Sequence, residues 1–360
     1  MEPSQRALLP FLLASRILSA FDARTFAPLV DTDAWPALIA AVERLPILTQ
    51  TLCFESRLAA TDRRVDLACS LFPFHAKAAQ EALADLANTE VGWRRLCDFL
   101  DVWAGTSAPL HLKVPFLCVA LDLPEKGEPP APCLSLCSDP DFFGKRLGLV
   151  PLNSRAAGDE LATLVEGCYA ILNGNPLPTT SKDRVRRWLA SSEALELKHF
   201  SVMLARADSP LKLNFRVELS RIGEALRALE WHDQAPSLVR EIYRFADWSG
   251  YAQLNVVVHP QLSGPLEVEV FPASPELAPA DRERFLDRLV AAGLSSAEKA
   301  GVLRSTWRQP LCGTIDGRSL GAASYIKLRF LRGEALDAKA YLGIMPRFLT
   351  HSQSLATPGY

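Results

Sequence analysis

No apolar run in this sequence reaches the roughly 18 residues that a membrane-spanning helix needs. The N-terminal segment MEPSQRALLPFLLASRILSAF is interrupted by Arg6 and Arg16 and has no clear small-residue cleavage site, so we predict an amphipathic helix rather than a signal peptide. Basic residues are not in excess either, because 39 Lys and Arg stand against 41 Asp and Glu. These absences favour a cytoplasmic protein that binds neither membranes nor nucleic acid.

Several common site motifs are also missing. The eight cysteines include no CxxC pair, and Cys133 and Cys137, four residues apart, have no matching His or Cys pair, which argues against a zinc site. We therefore predict free thiols in a reducing compartment. There is no GxGxxG, Walker loop, HExxH or GxSxG sequence, so none of these motifs indicates a dinucleotide, P-loop, metalloprotease or serine hydrolase site.

What the sequence does contain is a strong β-hairpin pattern over residues 324–344. Its two arms, IKLRF and AKAYL, alternate aliphatic or aromatic residues with polar ones. Successive side chains on a strand point to opposite faces, so Lys327, Arg329, Lys339 and Tyr341 share one face and the apolar residues share the other. A hairpin at the edge of a sheet, with its polar face in water, would show the same pattern.

The hairpin pattern occurs four more times, and it decides the predicted fold. The other strand pairs are predicted at 53–58 with 65–72, 116–123 with 133–137, 200–205 with 211–217, and 251–259 with 266–271. Helices are predicted at 6–20, 34–45, 76–104, 154–172, 181–195, 219–230, 236–248, 279–292 and 295–305. Short connections within each pair require antiparallel pairing.

Ten open strands would leave two long unpaired edges, which closure into a barrel removes. We therefore predict an α+β fold in which a ten-stranded antiparallel β-barrel of five hairpins is surrounded by a ring of α-helices. It would form a single domain over residues 1–350, followed by a flexible C-terminal tail at 351–360. A two-domain protein with open sheets is the alternative. In the barrel, the polar strand faces line a lumen with room for a ligand.

This layout resembles the ABBA prenyltransferases, also called the PT-barrel family. In that family, lumen motifs such as Lys-x-Tyr and Gln-x-Tyr clasp the diphosphate of an allylic donor, tyrosines shield the allyl cation, and a Glu on the first strand holds the acceptor. Here Lys339-Ala340-Tyr341 matches in full, and Lys327-Leu328-Arg329 is a basic variant. Lys212-Leu213-Asn214 and Gln253-Leu254-Asn255 keep the first residue but lack the phenol. The first two hairpins depart further, with VDLACSLFP and CLSLC where the family has basic and phenolic residues.

The resemblance implies a transferase that moves a dimethylallyl or geranyl group from an isoprenyl diphosphate to an aromatic small molecule or a ribosomal peptide side chain. Cations fixed where the diphosphate departs would stabilise the charge that builds up there. No DDxxD or NDxxD motif is present, which disfavours the helical magnesium-dependent type; no cofactor is firmly implied, and magnesium is left open. The implied diphosphate-binding residues are Lys212, Arg216, Gln253, Lys327, Arg329, Lys339 and Tyr341. The implied acceptor-binding residues are Glu55, Asp66, Asn214 and Asn255, with Glu55 also the catalytic base.

Other interpretations of the same residues remain open. Glu55 and Arg57 fit a plain cross-strand salt-bridge network with Arg64 or Asp66, and Asp66 fits a structural role. Glu267 and Glu269 alternate on the fourth hairpin and would neutralise an anion site if they paired with the lumen cations. The competing function is therefore a non-catalytic barrel that binds a peptide or a small anion.

Overall fold

The computed structural model of the chain describes most of residues 12–346. The gaps are residues 21–23, 25, 31, 33–34, 44–47, 50, 62–64, 106–109, 122–131, 138–157, 192–193, 205, 207, 249, 259–264, 273–276, 309–311, 316–317 and 332–333. The first part of the predicted N-terminal helix and the predicted flexible tail at 351–360 lie outside the described residues.

Ten antiparallel strands close into a barrel, as the sequence predicted. They are β3 to β10 together with β12 and β13, and the ring closes because β10 pairs with β12 and β13 pairs with β3. Their bounds are β3 Leu52–Arg57, β4 Val65–Leu71, β5 Phe116–Leu121, β6 Pro132–Cys137, β7 Glu196–Val202, β8 Leu211–Glu218, β9 Tyr251–Val258, β10 Leu266–Val270, β12 Arg318–Leu331 and β13 Glu334–Pro346. Because neighbouring strands are antiparallel all round the ring, the turns of all five hairpins lie at the same end of the barrel.

Among the described residues, three further strands lie outside the ring. Strands β1 (Leu12–Leu13) and β2 (Leu48–Thr49) pair with each other, and β11 (Cys312–Ile315) pairs with the first residues of β12. The fifth hairpin is consequently longer than predicted. Its strands pair from Leu320 opposite Pro346 to Leu331 opposite Glu334, so they extend beyond residues 324–344 at the end away from the turn.

Helices surround the barrel and supply the other side of its core. They are α1 Ala14–Ser19, α2 Trp35–Glu43, α3 Ala76–Thr89, α4 Val91–Ala104, α5 Leu110–Lys113, α6 Gly158–Asn173, α7 Thr179–Ala190, α8 Ile222–Ala228, α9 Ala235–Phe245, α10 Pro279–Ala291 and α11 Ala297–Arg308. Short 3-10 segments lie at Pro73–His75 and Leu219–Arg221. Local chemistry sets their boundaries: α10 begins at a proline, whose missing N–H costs nothing at a first helical position.

The core lies between the outer face of the barrel and the helices. On β12 the outward residues Ile326, Leu328 and Phe330 have no solvent exposure. They belong to the same buried cluster as Trp93 of α4 and Trp188 of α7. Each such side chain contributes about 1.5–3 kcal/mol when it is removed from water. Burial of the apolar strand faces under the helices therefore leaves the alternate, polar faces to line the lumen.

The predicted helix at 76–104 is wrong in one respect, because it is two helices. Glu90 has extended backbone angles (φ −130°, ψ 129°) between α3 and α4. The Thr89 hydroxyl donates a 3.1 Å hydrogen bond to the Leu86 carbonyl, the kind of local side-chain contact that competes with helix continuation. Beyond the break the two helices fold back on each other, and Gln80 Nε2 donates to the Cys97 carbonyl at 2.8 Å.

Strand β7 also differs from the prediction at 200–205. It begins at Glu196 and ends at Val202, because a register shift between Leu197 and His199 adds a bulge and the chain then turns. The Met203 N–H donates to the Pro210 carbonyl at 3.1 Å and closes that turn. We predicted strands from alternating residues, and the extra residue of a bulge breaks that alternation, so the part of β7 before the bulge was not predicted as strand.

Candidate active site

The lumen of the barrel has two chemically different walls. Strands β8, β9, β10, β12, β13 and β3 direct charged, amide and phenolic side chains inward. These are Lys212, Asn214, Arg216, Tyr251, Gln253, Asn255, Glu267, Glu269, Tyr325, Lys327, Arg329, Asp337, Lys339, Tyr341, Glu55 and Arg57. Strands β4 to β7 direct mostly small neutral side chains inward, among them Ala68, Ser70, Cys118, Ala120, Ser135 and Ser201. A ligand in the lumen would therefore meet a polar wall on one side and a small-residue wall on the other.

Glu55 is held by two groups of the last strand. Tyr341 lies directly opposite it across the pairing of β3 with β13. The Lys339 ammonium donates to Glu55 Oε1, and the Tyr341 hydroxyl donates to Oε2. Burial by itself raises the pKa of Glu55, but Lys339 and then Lys327 outweigh it and lower the pKa from 4.5 to about 2. Glu55 is therefore an ionised carboxylate at neutral pH with both oxygens occupied.

Glu267 lies between two lysines that the sequence assigned to the diphosphate. The Lys212 ammonium donates to Glu267 Oε2, and Lys327 Nζ lies 3.5 Å from the same oxygen. Lys327 also contacts Glu269 Oε1 at 3.0 Å. Burial favours the neutral acid, but Lys212 and Lys327 hold the pKa of Glu267 well below its ordinary value. The pairing of both glutamates with lumen cations, left open by the sequence, is thus present.

A buried amide chain connects this group to β8. Asn214 Nδ2 donates to Asn255 Oδ1 at 2.6 Å, and Asn255 Nδ2 donates to Glu269 Oε1 at 3.0 Å. Asn214 is only 1% exposed, and no described residue donates a hydrogen bond to its Oδ1. A buried amide oxygen of this kind costs free energy unless a donor satisfies it. Because this oxygen has almost no exposed surface, a donor would reach it only if the surrounding side chains moved.

An aromatic stack lies beside the lysines. The rings of Tyr325 and Tyr341 are parallel within 7°, with centroids 4.5 Å apart, and Phe271 extends the stack to Tyr325 at 5.5 Å. Lys327 Nζ lies 4.7 Å from the centroid of Tyr341. This is the geometry of a cation–π contact. Sequence analysis missed Tyr325, although its position two residues before Lys327 on β12 was a sufficient signal for the same face.

Two of the predicted diphosphate ligands have partners other than the glutamates that contact the lysines. Arg329 forms an ion pair with Asp337 towards the hairpin-turn end of the barrel. Arg216 lies towards the end of the barrel opposite the hairpin turns, where its guanidinium carbon is 3.7 Å from the centroid of the Tyr251 ring. There Arg216 lines a cleft of about 280 Å³. Neither arginine forms an ion pair with Glu55, Glu267 or Glu269 in the described part of the chain, although Arg329 lies opposite Glu267 in the pairing of β10 with β12.

The other predicted site residues have identifiable neighbours. Asp66 accepts a 3.3 Å bond from Arg57, so the cross-strand pair that the sequence left open is present, while Glu55 takes other partners. Gln253 lies opposite Arg216 on one neighbouring strand and opposite Glu269 on the other. The structure therefore gathers Glu55, the three lysines, Tyr341, Asn214 and Asn255, with Gln253 and Asp66 at the margin.

The lumen cations are compensated from within. Lys212, Lys327 and Lys339 contact Glu267, Glu269 and Glu55, and the pairs of Arg57 and Arg329 repeat the pattern. In the part of the chain that the structure describes, no group of three or more Asp, Glu, His or Cys side chains is arranged to hold a metal ion. The same residues include no helix with the length and apolarity of a membrane span.

Solved structures with the same architecture include enzymes. Prenyltransferase PriB in its apo form superposes with a TM-score of 0.56 at 14% sequence identity, over 92% of this chain and 95% of that chain. A 6-dimethylallyltryptophan synthase from Micromonospora olivasterospora, solved with DMASPP and Trp, gives 0.54 at 11% identity, over 91% and 95%. PriB with L-tryptophan and dimethylallyl thiolodiphosphate gives 0.50 at 14% identity, over 92% and 95%.

These matches concern the fold. No protein-family model matches the sequence, and no curated protein sequence matches it either. The chain has the fold of the ABBA prenyltransferases, as the strand and helix pattern predicted. At 11–14% identity the activity has to be argued from the residues of this chain.

Proposed function

We propose that this protein is a prenyltransferase, which moves a dimethylallyl or geranyl group from an isoprenyl diphosphate to an aromatic acceptor. The observation that carries the proposal is the convergence of Lys212, Lys327 and Lys339 inside a closed barrel of the ABBA type. Carboxylate partners hold these three ammonium groups close together, so a bound diphosphate could take over part of that pairing without a new rearrangement of the strands. The enzymes of this fold named above support the same class of reaction.

The lysines would act where the donor ionises. When the allylic carbon–oxygen bond breaks, the electron pair leaves with the diphosphate, and the three ammonium groups stabilise the negative charge that accumulates there. The allyl cation left behind lies within reach of the Tyr325–Tyr341 stack. Aromatic faces stabilise such a cation by about 0.5–2 kcal/mol each.

The opposite wall suits the apolar parts of both substrates. Ala68, Ala120 and Cys118 offer small, uncharged surface for an isoprenyl chain or an aromatic ring. The acceptor attacks the allyl cation through a ring carbon or heteroatom, forms the new bond, and then loses a proton.

The hydrogen bonds of Glu55 favour a role other than the catalytic base that the resemblance implies. With both oxygens already bonded and a pKa of about 2, Glu55 is a weak base near neutral pH. Its fixed negative charge stabilises positive charge on the acceptor as the new bond forms. The departing diphosphate is the stronger base, and it takes the proton.

Finer points of the proposal rest on the sequence alone. A peptide acceptor is one version of it, favoured by the absence of tyrosines that narrow the lumen in the resembling family. A cytoplasmic location, a single domain over residues 1–350, and a donor bound with or without magnesium belong to the same proposal.

The first test is calorimetric binding of dimethylallyl and geranyl thiolodiphosphate, which bind without reacting readily. It should be run with and without magnesium on wild type and on the Lys327→Ala/Lys339→Ala variant. The matched control is Arg284→Ala, which removes a cation from an ion pair with Asp281 on α10, outside the lumen. We expect binding to be lost in the double variant and kept in the control, with circular dichroism showing that both are folded.

Turnover completes the test. Incubation with dimethylallyl diphosphate and a panel of indoles, phenols and tryptophan-containing peptides should yield products heavier by one prenyl group, detected by mass spectrometry. A folded wild-type protein that binds neither donor analogue would refute the proposal.

One observation favours a second candidate, the non-catalytic barrel. All three lumen lysines already have carboxylate partners, so the lumen does not carry a large positive charge. A barrel of this kind would bind a peptide or a small anion and release it unchanged. Tight binding without any prenylated product across the acceptor panel would support this candidate.

A further inference from the structure

On the polar wall, the carboxylate of Glu267 already occupies the position predicted for the donor diphosphate. Glu267 Oε2 accepts the hydrogen bond of Lys212 and lies 3.5 Å from Lys327 Nζ, so one carboxylate oxygen is shared by two lysines from β8 and β12. A diphosphate oxygen bridging the same two strands would have to occupy the same position. The carboxylate and the donor cannot both hold Lys212 in this way.

Glu267 is well placed to compete. It is 20% exposed, and Lys212 and Lys327 are 13% and 11% exposed, so water screens their attraction little. It lies on β10, whose pairing with β9 and β12 on both sides fixes its direction into the lumen. Glu269 also points into the lumen, but it accepts a hydrogen bond from the buried amide of Asn255. Glu267 accepts no such bond from a described amide, so its carboxylate can move away from the lysines more easily.

We infer that Glu267 is a built-in competitor of the diphosphate, which must leave Lys212 and Lys327 before the donor binds and which thereby lowers the affinity for the donor. This inference rests on the proposed function, because it assigns the same lysines to the donor. Glu267 thereby raises the concentration at which every anion fills the site, so that only an anion that binds the lysines tightly, such as a diphosphate with about three negative charges, occupies it at low concentration.

The test is inorganic pyrophosphate binding by calorimetry to wild type and to Glu267→Gln. The amide keeps the size of the side chain and its oxygen still accepts a hydrogen bond from Lys212, but the negative charge is gone. We expect Glu267→Gln to bind pyrophosphate at least about tenfold more tightly, which corresponds to about 1.4 kcal/mol. Binding of inorganic phosphate should tighten by a similar factor, because the fraction of the site that Glu267 leaves free scales the affinity of every anion equally.

Two controls separate competition from a structural effect. Glu166→Gln is the matched variant, since Glu166 is also a little-exposed carboxylate with two cationic partners, Lys182 and Arg186 at 2.8 Å each, but it lies on α6 outside the barrel. It should bind pyrophosphate as wild type does. In the double variant Lys212→Gln/Glu267→Gln the gain should disappear, because the cation that Glu267 occupies is no longer present.

Thermal unfolding gives a second readout, because a ligand that binds only the folded state raises the melting temperature. Pyrophosphate should raise that temperature more in Glu267→Gln than in wild type. If Glu267→Gln does not fold, Glu267→Asp replaces it: the shorter side chain withdraws the charge from Lys327, and a smaller tightening is expected.

The outcomes distinguish this inference from the proposed function. Equal pyrophosphate affinity in wild type and Glu267→Gln overturns the competitor inference and leaves the anion site intact. A folded set of variants in which none binds pyrophosphate overturns both. Tightening in Glu267→Gln alone, absent from Glu166→Gln and from the double variant, supports the inference even if no acceptor has been found.

Discussion

Replacing Lys339 by methionine tests the contact that joins the first and last strands of the barrel. In this variant, Glu55 keeps the hydrogen bond from Tyr341 but loses the ammonium group at Oε1. The side chains of Lys339 and Glu55 are 17% and 19% exposed, so water replaces the lost partner poorly. Methionine preserves most of the volume, so that the effect is mainly one of charge.

The pKa of Glu55 gives the magnitude. A carboxyl whose pKa falls from 4.5 to about 2 on folding contributes about 3 kcal/mol of stability at neutral pH. Removing one partner of a buried ion pair costs about 3–5 kcal/mol in general. Lys327 also attracts Glu55 and remains in place, so we expect the lower end, a loss of about 3 kcal/mol at pH 7.

The pH dependence follows from the direction of the shift. Because folding lowers the pKa of Glu55, its contribution is complete above about pH 4.5 and disappears as the pH falls towards 2. Without Lys339 the pKa of Glu55 rises, and the protonated acid needs no cation. The difference between wild type and Lys339→Met should therefore shrink steadily below about pH 4.5.

Urea unfolding followed by the fluorescence of the seven tryptophans measures both quantities. Arg284→Met is the control, because the pair of Arg284 with Asp281 is largely exposed on the arginine side and an exposed pair contributes less than about 1 kcal/mol. A loss below about 1 kcal/mol for Lys339→Met at pH 7, or a loss that does not change between neutral and acid pH, would refute the stabilisation of Glu55 by Lys339.

Three further changes test the amide chain, the core and the aromatic stack. Asn255→Ala removes both hydrogen bonds of the buried amide chain and should cost about 1–3 kcal/mol in urea unfolding; a cost near zero would mean that water replaces the amide. Phe54→Ala should cost about 3–5 kcal/mol, whereas Leu336→Ser, at a side chain 45% exposed, should change stability by less than about 0.5 kcal/mol; equal effects would contradict the burial. Tyr325→Leu should lower kcat for prenyl transfer about tenfold at unchanged thiolodiphosphate affinity, since the ring acts on the cation formed later; a change in affinity alone would place the ring at the diphosphate instead.

The faces of the strands could be predicted from the sequence because they depend only on local periodicity. The alternation of Lys327 and Arg329 with aliphatic residues on β12 fixed which side chains point inward, and the short turns fixed antiparallel pairing. For most helices and strands, the predicted first and last residues lie within two or three positions of those in the structure. The break at Glu90 and the bulge in β7 did not, since each depends on how a short segment packs against its neighbours.

Which charged side chains pair with each other inside the lumen could not be predicted from the sequence. Glu55 and Lys339 are 284 positions apart, and they meet because β13 pairs with β3 to close the ring. Glu267 reaches Lys212 and Lys327 because β8 and β12 lie on either side of the β9–β10 pair. No local pattern encodes the register of a ring closure, in which every strand's offset contributes.

The sequence by itself therefore determined the kind of barrel and the set of charged groups that face its interior. Only the tertiary structure decided that these charges neutralise one another. It turned a set of lysines that looked like an open anion site into ion pairs with Glu55, Glu267 and Glu269. The physical reason is that alternation places a charge on a face, whereas its energy in a water-poor lumen depends on which opposite charge lies within a few ångströms.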